Sequence, residues 1–417
     1  MNSPTQPHTR RPAATTRRSR AGFTLLEIMV ALTIGAMAVG SIYAVGKNSN
    51  HYFQQQYRVT NSMTALRLAM AQVKRDLQRA GYLATPNAAV DGTCGTTGVT
   101  PGASNYAGVM RLVQAFGDAG NSNGMDPGGN YPGTLPADTV WLLGNYETNT
   151  EYAGLQDDTG MGTDLSIPQS YHAFRRDFTT WHDQTNPNVI DMAYFNQVFT
   201  VGRPVRIKTS GSGRFHFAVV AAVNPPVVPG GNVRIRISPP VPPTCRPSIN
   251  KGWIAPLKVL EYTVIPRLAN GVVNSIGYDP NDPERYPQLH RREIDVGTGA
   301  PFGIAAGGDD EIVLDYVVTF DLDFIAANPI LPGMPETIDW NPDNGVVAGR
   351  PHDLRMARVT LRTRSPGLDP SFPAPVPENA EPFRRFILDP GPVRRQGSAR
   401  VRTLRADIFL PNVAIND

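Results

Sequence analysis

One long apolar run near the N-terminus constrains the fold of this chain more than any other feature. The run extends from Phe23 to Val45 and contains a single charged residue, Glu27. As an α-helix rising about 1.5 Å per residue, it is long enough to cross a bilayer core about 30 Å thick. A basic cluster, RRSR at 17–20, precedes it. The positive-inside rule therefore predicts a cytoplasmic N-terminus, with everything after about Gly46 beyond the membrane.

Two simpler interpretations of the run explain it less well. An ordinary secretory signal peptide, cut near Gly46, has an apolar core of only about 7–15 residues and no carboxylate. A plain membrane anchor explains the length of the run but not Glu27. Because a carboxylate near the bilayer centre costs about 2.5–3.5 kcal/mol, we expect Glu27 to have a partner.

The start of the run has a recognisable motif. It reads GFTLLE at residues 22–27, with two arginines just upstream, and closely resembles the type III signal of type IV prepilins. The resemblance implies that a prepilin peptidase/N-methyltransferase cleaves between Gly22 and Phe23 and methylates the new amine of Phe23. It also implies that Glu27 neutralises that amine, in its own or a neighbouring subunit, and so sets the subunit register in a filament.

The helical pattern continues beyond the membrane run. Apolar residues recur there at a spacing of about 3.5 and form one narrow seam: Tyr52, Val59, Met63, Leu66, Met70, Val73, Leu77 and Ala80. Six charged residues lie off the seam: Arg58, Arg67, Lys74, Arg75, Asp76 and Arg79. Gly81 and Pro86 then provide a stop signal. We predict a helix from Phe23 to Ala80 whose seam packs on a globular domain, since a coiled coil needs more heptads.

These features divide the chain into four segments. Residues 1–22 are a leader that is removed, and 23–46 are the membrane-spanning, filament-core half of the helix. Residues 47–81 are its amphipathic half, and 82–417 are a β-rich head with long loops. Gly and Pro each occur 39 times, which favours β-structure and loops over a helical bundle.

Alternating or continuous apolar patterns in the head predict strands. They are Thr139–Tyr146, Val205–Lys208, Arg214–Val223, Val233–Ser238, Leu257–Ile265, Arg292–Val296, Ile312–Phe324, Leu354–Thr363 and Val401–Leu410. Ile312–Phe324 is predicted as one strand with its even-numbered residues on the buried face. The apolar parity of Leu354–Thr363 switches after Met356, which indicates a bulge. Residues 82–137 and 365–399 are predicted as long, mostly irregular loops.

Several head segments also resemble minor pilins of the PilW type. They are residues 137–147, 259–265, 288–297, 311–324 and 354–365, and a late strand ending LPN at 410–412. The resemblance implies a pilin-like α+β fold in which the long N-terminal helix packs on an elaborated antiparallel β-sheet domain. It also implies other minor and major pilins, the inner-membrane assembly platform and, before assembly, membrane lipid as partners.

The chain has no motif that predicts catalysis, a cofactor or a metal site. It lacks G-x-S-x-G, H-E-x-x-H, a P-loop and a dinucleotide fingerprint. Without the five arginines of residues 1–22, the chain has 34 basic and 36 acidic residues. It therefore lacks the surplus of basic residues that would predict nucleic-acid binding. Three acidic clusters are interpreted as solvated loops, and one bound calcium ion is the alternative interpretation. The clusters are Asp157, Asp158 and Asp164; Asp279, Asp282 and Glu284; Asp309, Asp310 and Glu311.

The two cysteines, Cys94 and Cys245, both fall on the oxidising side of the membrane. They can form one disulfide, and two separate thiols are the alternative.

Together these features predict a non-enzymatic minor pilin that acts in pilus initiation or at the pilus tip. It would cross the inner membrane once, with a periplasmic head, before entering the pilus at the cell surface. The alternatives are a minor pseudopilin of type II secretion, an adhesin on a pilin stem, and a membrane-tethered periplasmic enzyme.

Overall fold

The structure is a computed structural model, and part of the chain can be described from it. The described residues are 23–84, 94, 113–116, 139–179, 190–211, 214–226, 231–267, 286–302, 310–328, 337–339, 354–365, 385–387 and 398–412. The chain divides into two compact units, Met1–Val59 and Thr60–Asp417.

The predicted long helix is confirmed as α1, which spans Leu25–Arg79 and contains 55 residues. It begins two residues later and ends one residue earlier than predicted. Gly81 follows its last turn with a φ of 80°, a conformation that glycine adopts without strain. The Gly81 N–H donates to the Leu143 carbonyl at 2.8 Å, so the chain leaves the helix bonded to a strand.

In the first unit, the described side chains of α1 are almost all exposed. Large apolar residues dominate the membrane run: Leu25, Leu26, Ile28, Met29, Val30, Leu32, Ile34, Met37, Val39, Ile42, Tyr43 and Val45. Within the described part of the chain, α1 is the one helix long and apolar enough to cross a membrane.

Seventeen strands are described in the second unit. They are β1 (Val113–Phe116), β2 (Thr139–Gly144), β3 (Tyr152–Ala153), β4 (Gln156–Asp157), β5 (Asp164–Ile167), β6 (Pro204–Lys208), β7 (Phe215–Asn224), β8 (Val233–Ser238), β9 (Trp253–Pro256), β10 (Lys258–Arg267), β11 (Tyr286–Glu293), β12 (Asp310–Asp315), β13 (Val317–Asn328), β14 (Thr337–Asp339), β15 (Leu354–Arg364), β16 (Arg385–Ile387) and β17 (Ser398–Phe409). Two short helices, α2 (His172–Phe178) and α3 (Met192–Val198), lie between β5 and β6.

The strands form three sheets. Sheet 1 has the order β1-β2-β10-β11-β12, and sheet 2 has the order β14-β13-β15-β17-β16. Sheet 3 has the order β3-β9-β6-β7-β8-β5-β4. Neighbouring strands pair antiparallel throughout the described ladders. The predicted α+β class, a long N-terminal helix with an antiparallel β domain, is therefore confirmed.

The prediction of one strand from Ile312 to Phe324 was wrong. The segment is two strands, β12 and β13, which belong to different sheets. Tyr316 separates them with a φ of 56°, a left-handed conformation that interrupts the extended chain. Ile312, predicted on the buried face, is 45% exposed because it lies on the edge strand of sheet 1.

Two other strand predictions were only partly correct. The strand predicted at Arg292–Val296 shares only Arg292 and Glu293 with β11, which begins at Tyr286. A bulge is present in β15, but it lies at Arg355, before Met356 and not after it as predicted, where the register shifts between Ile325 and Ala326. The helices α2 and α3 were not predicted. Most of the two predicted loops lies outside the described residues, although β1 and β16 fall within them.

Three apolar cores hold the second unit together. In the first, the α1 seam from Leu66 to Ala80 packs on sheets 1 and 2. The second joins sheet 3 to α2 and α3 and contains a cluster of aromatic rings. The third lies between sheets 1 and 3, where Val259 and Ile294 meet Phe217. Both faces of sheet 1 are therefore buried, one by α1 and one by sheet 3.

Candidate functional site

The predicted cleavage and methylation site lies at the start of α1. Gly22 is outside the described residues, and the Phe23 side chain is 83% exposed. Nothing in the structure tests cleavage before Phe23 or methylation of its amine, so both stay predictions.

Thr24 and Glu27 form a reciprocal capping box at the first turn of α1. The Glu27 N–H donates to the Thr24 hydroxyl at 3.2 Å. In return, Glu27 Oε2 accepts from the Thr24 N–H at 3.0 Å and from the Thr24 hydroxyl at 3.1 Å. The box satisfies N–H groups that a helix start otherwise leaves unpaired. The spacing T-x-x-E signals it in the sequence, and the sequence analysis overlooked it.

The capping box uses only half of the Glu27 carboxylate. Both bonds from Thr24 end on Oε2, and Oε1 has no hydrogen-bond partner among the described residues. Because a carboxylate oxygen can accept two bonds, Glu27 keeps capacity for a cation while it caps its own helix. The predicted pairing with a Phe23 amine is therefore compatible with the geometry.

The hydroxyls of the membrane run bond to their own helix. Thr33 Oγ1 donates to the carbonyls of Met29 and Val30 at 3.1 and 2.9 Å. Ser41 Oγ donates to the Met37 carbonyl at 2.9 Å. Polar groups in lipid need such internal partners. Glu27 is the one acidic or basic residue in the described part of the run.

Within the second unit, Asp76 ties α1 to sheet 1. It was predicted to lie off the buried seam, yet it is only 1% exposed. Its Oδ2 accepts from Tyr262 Oη at 2.8 Å and from Arg291 Nε at 2.6 Å. Burial, and then the Asp76 charge, raise the pKa of Tyr262 well above its usual value. Burial lowers the pKa of Arg291, but Asp76, Tyr262 and Glu311 together raise it by more, so the net shift is upward.

A second buried charge cluster connects sheets 1 and 3. Arg203 donates to both oxygens of Glu293, from Nε at 2.5 Å and from Nη2 at 2.7 Å. Lys258 pairs with Glu147 and lies 3.3 Å from Glu293. Arg203 also approaches Glu147 at 3.6 Å. Two cations and two anions thus compensate each other inside the head, which a buried ionic group requires.

The two cysteines are joined in the structure. Cys94 and Cys245 form a disulfide with a Cα–Cα distance of 5.5 Å and a sequence separation of 151 residues. Both residues are buried in the core of sheet 3.

The acidic clusters singled out for calcium have protein partners where they can be described. Asp158 pairs with Arg234, and Asp164 with Arg236. Asp310 pairs with His290, and Glu311 accepts from Gln72. Among the described residues, no group of three or more His, Cys, Asp or Glu side chains could hold a metal ion. Four members of the clusters lie outside the described residues: Asp279, Asp282, Glu284 and Asp309.

Comparison with known proteins gives one match. The family model of the prokaryotic N-terminal methylation motif matches residues 17–43. No curated protein and no solved structure matches the chain. The matched residues include the predicted cleavage position, the capping box and most of the membrane run. This motif, on the exposed apolar start of α1, supports a type IV prepilin-like protein of a pilus or pseudopilus, and it suggests a structural subunit.

Proposed function

We propose that this chain is a minor pilin of the PilW type and that it acts without catalysing a reaction. A prepilin peptidase/N-methyltransferase cleaves it between Gly22 and Phe23 and methylates the Phe23 amine. Its α1 helix then leaves the inner membrane through the assembly platform and packs among the helices of other minor and major pilins. In that bundle, the free Glu27 oxygen aligns the subunit by pairing with a Phe23 amine.

The uncovered apolar surface of α1 carries this proposal. The described side chains from Leu25 to Val45 are exposed, and Glu27 is the one acidic or basic residue among them. Contiguous exposed apolar surface of this extent marks a membrane or protein interaction site. The prepilin motif at the start of the same helix supports membrane lipid as the partner of this surface before assembly. It supports other pilin helices as its partners after assembly.

The size of the head favours a tip or priming position. Three sheets and three cores follow α1 in the chain. A subunit this large is hard to repeat along a densely packed shaft, whereas the tip of a filament has no such limit. Immunogold labelling of sheared pili should therefore give label at ends only. Regular labelling along the shaft would reject the tip and priming roles.

Mass spectrometry of the mature N-terminus tests the processing step. We expect a chain that begins at N-methylated Phe23. A Gly22→Leu variant should stay uncut, because a side chain at this position obstructs the close approach of the protease. A native chain that begins beyond Val45 would reject the proposal, since the assembly helix would have been removed.

A minor pseudopilin of type II secretion is the nearest alternative, because the methylation motif fits either assembly. Deletion of the gene separates the two. We expect loss of surface pili and of twitching, with protein secretion unchanged. Loss of secretion with normal twitching would instead identify a pseudopilin.

A further inference from the structure

A polar cleft of about 540 Å³ lies beside the short connection between β3 and β4, the two edge strands of sheet 3. Its volume is within the range of about 300–1,000 Å³ that is usual for small-molecule sites. Three chain segments line it: 154–158, 168–171 and 250–251. The cleft lies entirely within the second unit, and nothing in the assembly proposal uses it.

Tyr171 provides a fixed aromatic surface in this cleft. It is 41% exposed, and its carbonyl accepts from the Arg175 N–H at 3.1 Å, which holds it at the start of α2. Its ring lies against the backbone of Gly154, where any Cβ would overlap the ring. Gly154 has a φ of 84°, so glycine is favoured there for two reasons. The ring is therefore positioned before any ligand arrives.

The polar groups around Tyr171 are of several kinds. Gln156 and Asn250 supply amides, Ser170 supplies a hydroxyl, and Lys251 supplies an ammonium group. Asn250 Oδ1 already accepts from the Asp157 N–H at 3.1 Å, so Asn250 offers its Nδ2 group as a donor. Lys251 has a φ of 69°, and its N–H donates to the Leu155 carbonyl at 2.9 Å. Amides and hydroxyls both donate and accept hydrogen bonds. The rim thus suits a ligand that has many hydroxyl groups.

The carboxylates of the cleft are already engaged. Asp157 accepts from the N–H groups of Thr159 and Gly162 at 3.3 and 2.9 Å. Asp158 pairs with Arg234 at 2.7 Å and accepts from Ser166 at 2.9 Å. With Lys251 and Arg234 nearby, the two acidic charges are balanced. A nearly neutral cleft does not attract a polyanion, and engaged carboxylates are poor ligands for a cation.

We propose that this cleft binds a neutral oligosaccharide. A pyranose ring has an apolar C–H face and a rim of hydroxyls that donate and accept hydrogen bonds. Tyr171 takes the apolar face of one sugar ring. The amides of Gln156 and Asn250, together with Ser170 and Lys251, bond to the hydroxyls. The minor pilin would then attach to a glycan-coated surface through its head.

The test uses the full chain in an amine-oxide detergent, because maltoside or glucoside detergents would compete. Saturation-transfer NMR is recorded with maltotriose, cellotriose and triacetylchitotriose, and with a heparin tetrasaccharide as the anionic comparison. We expect transfer to at least one neutral sugar and none to heparin. No transfer to the three neutral sugars at millimolar concentration, or transfer to heparin alone, would overturn the proposal.

Variants then locate the binding site. Tyr171→Ala should weaken the affinity for the neutral sugar about tenfold, equivalent to roughly 1.4 kcal/mol, whereas Tyr171→Phe should keep most of it. Lys251→Gly, which suits the positive φ, should weaken binding without loss of fold. Phe409→Ala removes an exposed ring on sheet 2 and should leave the affinity unchanged. Equal affinity in Tyr171→Ala and the native chain would overturn the assignment, and circular dichroism checks that each variant folds.

This experiment is independent of filament assembly. Because it measures sugar binding by the isolated chain, a negative result leaves the processing and assembly proposal intact. Conversely, the cleft variants should still be processed at Phe23 and recovered with pili.

Discussion

The Asp76 carboxylate lies inside the interface between α1 and sheet 1, where it accepts from Tyr262 and Arg291. By its position in the sequence it belongs with the charged residues off the seam. The partners that make its burial possible come from strands far along the chain. At the residue scale, the environment of a charge therefore depends on contacts that helical periodicity does not report.

Replacing Asp76 should destabilise the head strongly. Asp76→Ala leaves Arg291 without its closest carboxylate, and breaking a buried pair in this way costs about 3–5 kcal/mol. Urea unfolding of the full chain in detergent, followed by tryptophan fluorescence, measures the loss. Asp407→Asn is the matched control, because it breaks a surface pair with Arg358 and should cost at most about 1 kcal/mol. Similar losses of unfolding free energy in both variants would contradict a stabilising contribution from the buried Asp76–Arg291 pair.

Two variants separate the capping role of Glu27 from its charge. Glu27→Gln keeps a side chain that can complete the capping box but removes the charge, whereas Glu27→Ala removes both. If the charge pairs with a Phe23 amine, both variants should be lost from sheared pili while they are still processed and held in the membrane. Normal recovery of Glu27→Gln, with loss of Glu27→Ala, would show that capping alone is needed.

His216 should make the stability of the head depend on pH. Burial lowers its pKa below the usual value, although the bond to the Pro239 carbonyl partly opposes this. The unfolded chain binds the proton more readily, so stability is complete above about pH 6.5 and falls as the pH drops through the folded pKa.

Comparing His216→Gln with the native chain isolates this contribution. Between pH 7 and about pH 5, the native chain should lose more unfolding free energy than the variant, which has no group to protonate at this site. Urea midpoints at each pH give the difference. Equal losses would mean that protonation of His216 does not contribute.

At the element scale, α1 has two environments along one helix. In the first unit, the helix carries apolar side chains on all its sides and they are exposed. In the second unit, the side chains of the predicted seam face the core. Tyr52 is exposed, and Met63 is the first seam residue that packs against the core of the second unit. The sequence pattern gave the correct period. It could not say where along the helix the partner surface begins.

Two leucines on the same stretch of α1 test this arrangement. Leu77 is fully buried in the core with sheets 1 and 2, and Leu68 is 67% exposed. Leu77→Ala should destabilise the head by about 2–5 kcal/mol, because it leaves a cavity. Leu68→Ala should change the stability by no more than about 0.5 kcal/mol. Urea unfolding of both full-length variants measures this, and equal effects would refute the assigned face.

The division at Tyr316 shows how a regular pattern can mislead. In β13, Phe320, Leu322 and Phe324 are buried as predicted, whereas in β12 Leu314 is buried but Ile312 is exposed. The chain nevertheless passes from sheet 1 to sheet 2 at this residue. Tyr316 has no turn signature such as Gly or Asn, and its ring packs on Arg364. Only the positions of the neighbouring strands define this boundary.

At the scale of the whole molecule, the Arg203–Glu293 cluster connects sheets that also share an apolar core. Arg203 immediately precedes β6 of sheet 3, and Glu293 ends β11 of sheet 1. A bidentate pair restricts both distance and orientation. We therefore infer that the cluster fixes the distance and orientation at which sheets 1 and 3 pack.

Glu293→Gln should destabilise the head by about 3–5 kcal/mol, because the Arg203 charge stays buried without its carboxylate. Adding Arg203→Met should recover part of the loss, since neighbouring buried partners are not additive. Asp164→Asn, which breaks a surface pair with Arg236, should cost at most about 1 kcal/mol. Urea unfolding of the native chain, of Glu293→Gln and Arg203→Met singly, and of the double variant gives the coupling energy. A purely additive double variant would contradict the coupling.

The membrane run, the prepilin motif, the helical seam and most strands could be recognised from the sequence, because each depends on residues that are close together in the chain. Composition and period report such local features directly. The burial of Asp76, the charge cluster between the sheets, the change of sheet at Tyr316 and the Tyr171 cleft appeared only in the folded chain. Each requires side chains brought together from distant segments, as when Tyr262 reaches Asp76 across 186 residues. The stability of these contacts depends on the desolvation and pairing of groups that are distant in the sequence. No local sequence pattern encodes those pairings.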